Sequence, residues 1–338
     1  SPAHLKELQA IKEQTMREQG ERYPVWVLDK IGTDVMVANR IAMGPGLTGP
    51  RFRWVSYEDA FMYPLNNSEL LARSPVDEFL FKREDALLTR YLKNLAIEQP
   101  KTLDEYLSQV VTPTMERQKS AGAIGIKFEM AYLRSLETRK VALDDARQVY
   151  AKYVAGAAPD PADYTRLQDF LFRYMAKEAG RLGLTVHIHT GGGGTYNFNL
   201  GWGDPVRLDS ALNDPDLRKT TFVLLHGGIP NPQNISYLMS KPNVYADFSF
   251  QDLVLPPRAL SAVLRQWMEA YPEKAMFGTD IGPDNWEEQG WVAGETTREA
   301  LAIALTGMMR DGEITRPKAL ELARMVMREN AMKLYGIH

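Results

Sequence analysis

The chain has 338 residues, 44% hydrophobic and 25% charged, with a formal net charge of −3, a composition that suits a folded globular protein with a sizeable core. Its 40 basic and 43 acidic residues are interspersed without a basic stripe, and no apolar run approaches the ~20 residues of a membrane-spanning helix, so neither nucleic acid nor a membrane is expected as a partner. Cysteine is absent, which rules out disulfides, thiolate metal sites and a cysteine nucleophile.

In chain order, His4 to Gly20 is polar and rich in Lys and Glu, with Leu5, Leu8, Ile11 and Met16 at helical spacing, which predicts an amphipathic helix. Val25 to Ile31 reads as a second helix ending at Gly32. Asp34 to Ala38 is a short apolar run with the character of a buried strand. Arg51 to Tyr57 alternates like another. From Ser74 to Gln118 the pattern is helical, broken by Pro100 and Pro113. A regular series follows. Strands are predicted at Ala123–Lys127, Leu184–His189, Thr221–His226, Asn243–Asp247 and Ala275–Thr279. Helices are predicted at Tyr164–Leu182, with Pro159-Asp160-Pro161 as a turn before it, at Asn231–Ser240, at Arg258–Tyr271 and over most of Thr296–Tyr335.

Strands alternating with helices imply βαβ units and a parallel sheet. A doubly wound sheet would carry a Gly-rich phosphate turn after its first strand, and none is present. The Gly191–Gly194 run lacks the Lys-Ser/Thr of a phosphate-binding loop and reads as a plain loop. Seven strands are one short of a closed eight-stranded barrel. The expected architecture is therefore an α/β, TIM-like (β/α)₈ barrel lacking its first strand. Residues 1–338 would form one domain, with 1–120 helix-rich and carrying two strands, and 121–338 carrying five.

Three of the five histidines, His187, His189 and His226, fall at the C-terminal ends of predicted strands, the face on which barrels of this kind build their sites. His187 and His189 are two apart, so a strand points both to one side. Asp280 follows the last strand, and Lys127 ends the first strand of the regular series. Neutral imidazole and carboxylate suit a divalent ion such as Zn²⁺. Such an ion can lower the pKa of bound water to about 7, and a neighbouring carboxylate can take and return the proton. Each residue alone has a plainer reading. A strand-end His can be a hydrogen-bonded structural residue, Lys127 can snorkel outward, and Asp280 can cap a helix. Their joint placement is what argues for a site.

The segments His187-Ile188-His189-Thr190-Gly191, Leu224-Leu225-His226-Gly227-Gly228, Asn243 to Ser249, Phe277-Gly278-Thr279-Asp280 and Asn330 to Gly336 resemble, in order and spacing, the fifth to eighth strand motifs and closing helix of the amidohydrolase superfamily. Within it, Gly125-Ile126-Lys127 followed by Ala131-Tyr132 and Arg134 is similar to the amidohydrolase-related branch. That branch includes the domain fused to glutamine-synthetase-like domains in nodulin and FluG-type proteins. The resemblance covers residues 120–338 clearly and 20–65 weakly. It implies that His189, His226 and Asp280 bind the metal and that Asp280 also shuttles the proton. Lys127 would be a further ligand, carboxylated and bridging two ions, or else an uncarboxylated substrate anchor. His187 stands where the pattern often has Gln, and would support a ligand or meet substrate. By residue type alone, Arg134 and Arg40 could meet an anionic substrate or form surface salt bridges, and Trp286 could line the substrate pocket or pack a loop. Tyr196, Phe198, Trp202 and Trp291 could shape a pocket or simply pack loops.

The departure is at the start, since the superfamily's first strand ends in His-x-His and none occurs before residue 187. His4 is isolated and is not assigned. The chain also begins at Ser1 rather than Met, so the first strand is expected upstream; fewer ligands or a degenerate barrel are the alternatives. The resemblance implies a hydrolase acting on an amide, ester or lactone through a metal-bound hydroxide, with one or two ions, Zn²⁺ foremost, and a small-molecule substrate. Metal-dependent decarboxylation of an aromatic or enol acid, sugar-acid isomerisation and a non-catalytic binding role stay open. So do homo-oligomerisation and the compartment.

Overall fold

The computed structural model describes residues 2–41, 43–73, 78–194, 198–282 and 286–337. Seven strands form one parallel sheet: β1 (Met36–Arg40), β2 (Phe52–Tyr57), β3 (Ala123–Phe128), β4 (Thr185–His189), β5 (Thr221–Leu225), β6 (Val244–Asp247) and β7 (Ala275–Met276). They lie side by side in strict sequence order. Parallel neighbours in chain order, with helices between β2 and β3 and between each later pair, are the winding of a (β/α) barrel. Among the described residues β7 does not pair with β1, so the barrel is open at that seam, as a barrel lacking one strand must be.

The two-residue period of a strand sorts the side chains. Ile126, Phe128, Val186, Ile188, Phe222, Leu224, Val244 and Ala246 are fully buried in the main core against the helices. The alternate positions turn inward. Lys127, His187, Val223 and Tyr245 are in register across β3 to β6. Val223, Leu225 and Met276 form a separate small cluster against Ala331, Leu334 and Tyr335 of the C-terminal helix Asn330–Tyr335. This helix and the turn before it, Met325–Glu329, also serve the open edge. The Phe277 amide donates to the Val326 carbonyl at 2.9 Å, and the Asn330 side-chain amide donates to the Ala275 carbonyl at 2.8 Å.

Several boundaries differ from expectation, among them the strand expected over Asp34–Ala38, which lies at Met36–Arg40, and two differ for identifiable reasons. The helix expected from Tyr164 begins at Pro161. Asp160 is its N-cap, accepting from the Ala162 and Asp163 amides, and Pro161 sits at the first helical position, where its missing N–H costs nothing. The strand expected over 275–279 stops at Met276. A Cβ on Gly278 would stand 2.9 Å from Ser249 Cβ and 3.0 Å from Asp247 Oδ2. The chain passes too close to the end of β6 there to continue as a strand.

Candidate active site

β3, β4 and β5 deliver Lys127, His187, His189 and His226 to the inner face, each at most 4% exposed. The His189 and His226 rings have centroids 4.5 Å apart. His226 leaves β5 with φ 64°, and Gly227 follows at φ 54° with Gln251 Nε2 only 2.3 Å from where a Cβ would be, so glycine is required in this turn. The His226 amide donates to Asp247 Oδ1 at 2.9 Å. Ser249 Oγ donates to the same carboxylate oxygen at 2.7 Å.

These contacts fix the imidazole protons. Ser249 has one hydroxyl proton, committed to Asp247, so its 2.8 Å contact with His226 Nδ1 has the ring donating. Nε2 of His226 therefore carries the lone pair. His189 Nε2 lies 3.1 Å from the Gly192 carbonyl, which can only accept, so Nδ1 of His189 carries the lone pair. Burial, with Lys127 nearby, holds both rings well below the usual imidazole pKa; for His189 the neighbouring His226 adds to this. Both rings are thus neutral at physiological pH. Burial likewise pushes His187 down to about 3, and its Nε2 lies 2.9 Å from the Tyr335 hydroxyl.

Asp280 stands at the mouth with φ 54° and a side chain 43% exposed, its Oδ2 4.0 Å from His226 Nδ1. Protein crowding raises its pKa to about 6, with Lys127 pulling down and Asp247 pushing up. Burial depresses Lys127 to about 8, against the opposing pull of Asp280, Asp59 and Asp247. The structure thus gathers Lys127, His187, His189, His226 and Asp280 at one end of the sheet.

It does not bring Arg134 there as a free cation. All five guanidinium N–H groups are spent: Nε on the Ser135 carbonyl, Nη1 on Gln168 Oε1 and the Thr165 carbonyl, Nη2 on the Glu137 carbonyl and Asp169 Oδ1. The arginine expected to meet substrate is an internal staple, because buried acceptors from the helix Pro161–Leu182 and from its own loop saturate it. Trp286 heads the helix Trp286–Arg310, and its side chain lies outside the described residues, as does Tyr196. Phe198 is edge-on to Tyr132 at 4.8 Å and packs on His189 at 5.6 Å. Trp291 is 57% exposed.

A second group of polar residues was not anticipated. Glu58 and Asp59 follow β2, Glu129 follows β3, and Arg83 and Glu84 come from the helix Glu78–Leu95. Arg83 Nη2 reaches Glu129 Oε2 and the Tyr57 hydroxyl, both at 2.9 Å. Asp59 Oδ2 accepts the Glu129 amide at 2.8 Å. Burial raises Asp59 to about 6 and Glu129 to about 8. Glu129, two residues past Lys127 at a strand end, carried the same positional signal as Lys127. Arg83 carried none, because only the tertiary fold brings its helix over the strand ends.

The fold is shared with solved structures. A Lactobacillus casei protein assigned as a metal-dependent hydrolase superposes with a TM-score of 0.69 at 15% identity, over 94% of this chain and 76% of that one. Uronate isomerase from Thermotoga maritima gives 0.65 at 14% identity, over 92% and 70%. At such identities the likeness is one of fold. In sequence, the protein fluG of Emericella nidulans is 24% identical over 226 residues, which is 64% of this chain but only 26% of fluG. The family model described as Amidohydrolase matches residues 114–337, the stretch that carries every strand end described above from Lys127 to Asp280. The chain belongs to the amidohydrolase family.

Among the described residues, no three His, Asp or Glu side chains stand close enough together to hold a metal ion. The chemistry of the donor set does fit a divalent ion. Two neutral imidazoles, each with one proton fixed by a neighbour, and a carboxylate are the ligand types such an ion takes. Behind His226, Ser249 meets ring Nδ1 and itself donates to Asp247, the kind of support that orients a metal-binding imidazole.

Proposed function

We propose that the chain acts as a metal-dependent hydrolase on an amide, ester or lactone of a small-molecule substrate. The observation that carries this reading is the pair of neutral, proton-fixed histidines beside Asp280 and Lys127, at the strand ends of an amidohydrolase-family chain. His189 Nδ1, His226 Nε2 and Asp280 would hold the ion, Zn²⁺ being the natural match for this donor set. A bound divalent ion supplies Lewis acidity toward a carbonyl and acidifies water.

The protein groups do the rest. Asp247 and Ser249 hold the His226 ring in the ligating tautomer. Asp280 takes a proton on its carboxylate from the attacking water and returns it to the leaving group. Lys127, depressed to about 8, keeps a share of neutral amine. That share can add CO₂ and lose a proton to give an anionic oxygen ligand; as the ammonium, it would attract an anionic substrate instead. The test measures metal per chain and turnover of a panel of lactones, esters and amides. Metal should be present in stoichiometric amount, and Asp280→Asn should lower turnover by about 10²–10⁴-fold while the fold is kept. Full activity in Asp280→Asn would sink the assignment, and mass spectrometry of intact protein would decide between the two forms of Lys127.

A further inference from the structure

Away from the strand ends, the outer helical layer forms a half-open cavity of about 560 Å³, a size typical of small-molecule sites. It lies between the helical run over 103–120, the helix Pro161–Leu182, and the segments around 140–143 and 214–217. None of its lining residues belongs to the strand-end cluster. Its walls are mainly apolar. Phe170 and Tyr174, one helical turn apart, stack with centroids 6.3 Å apart and planes 23° apart, and both residues line the cavity. Leu107, Val141 and Leu217 line it as well.

The charges around this surface are unevenly matched. Asp214 accepts from Arg173 Nη1 at 2.6 Å, from Lys140 at 3.3 Å and from the Asp216 amide at 3.0 Å. Asp216 also pairs with Lys140, and Asp104 is held by Arg147. Every lining carboxylate is therefore already paired. Two lining cations have capacity left. Lys177, exposed at the rim one turn beyond Tyr174, makes no ion pair among the described residues. Arg173, 8% exposed, has its Nε without an acceptor.

We infer that this cavity is a second binding site, distinct from the strand-end site, for a small molecule with a flat apolar body and a single anionic group. The ring system would lie against Phe170 and Tyr174, and the anion would meet Lys177. Because Lys177 is exposed, charge acts here mainly as selectivity between anionic and neutral ligands, and the apolar wall supplies most of the affinity.

The test uses two fluorescent probes of similar shape, the anionic 8-anilinonaphthalene-1-sulfonate and the neutral N-phenyl-1-naphthylamine, titrated into the whole chain. One saturable site is expected for the sulfonate. Lys177→Glu should weaken it by about tenfold, equivalent to about 1.4 kcal/mol, while leaving the neutral probe unchanged. Phe170→Ser should weaken both, and His189→Ala neither. Thermal melts of the variants confirm that they stay folded. Absence of saturable binding would overturn the proposal. So would sulfonate affinity unchanged by Lys177→Glu and Phe170→Ser, or lost in His189→Ala, which would place the probe at the strand ends.

Discussion

Replacing Arg134 with Met separates a substrate contact from a structural staple. The side chain is 10% exposed and its partner Asp169 is 4% exposed. Removing the guanidinium leaves the Asp169 carboxylate with the Arg139 amide at 3.0 Å as its remaining donor. It also strips donors from Gln168 and three carbonyls. Breaking one partner out of a buried ion pair costs about 3–5 kcal/mol. With an unfolding entropy of about 2.1 cal/mol/K per residue over 338 residues, each kcal/mol moves Tm by about 1.4 °C. Arg134→Met should therefore melt about 4–7 °C lower in calorimetry, and Arg134→Met/Asp169→Leu should recover part of the loss. Below the melting range, KM should be unchanged. A raised KM with an unaltered Tm would refute the structural reading and return Arg134 to the substrate.

Three further outcomes follow from the geometry. Burial raises Glu58 to about 7, its Oε1 bonded to Ser56 Oγ at 2.7 Å. The folded protein thus keeps a proton that the unfolded chain releases near pH 4.5, and stability falls as pH rises through that window to about 7. Glu58→Gln should remove this fall, so the variant gains on the wild type between pH 5 and 8 in urea titrations; parallel curves would contradict the shift. Gly278→Ala places a Cβ against Asp247 and Ser249 and should cost about 1–3 kcal/mol. It should also reduce turnover, because the same turn presents Asp280; unchanged melting and activity would show that the loop has room. Tyr335→Phe removes the hydroxyl that meets His187 at 2.9 Å and should cost about 1 kcal/mol, read as a Tm lower by about 1–2 °C.

The sequence by itself determined the strand series and the placement of the histidines. Inward and outward positions alternate with a fixed period, so an apolar run such as Thr221–Leu225 ending in His226 states both that a strand is there and where its last side chain goes. Gly227 marks the turn that ends this strand. Gly278, by contrast, reads as part of a strand; that a Cβ there would meet Asp247 and Ser249 is decided by β6, which the spacing does not show. Tertiary structure decided what each polar group does once it arrives. Arg134 and Lys127 look alike in sequence as buried cations near β3. One is saturated by five acceptors that the helix Pro161–Leu182 and a neighbouring loop bring to it, while the other is left among Asp59, Asp247 and Asp280. The tautomers of His189 and His226 depend on Gly192 and Ser249, and the carboxylates around Arg83 meet only because a helix from residues 78–95 folds over β2 and β3. Hydrogen-bond saturation and burial depend on groups far apart in the chain, which one-dimensional spacing does not encode.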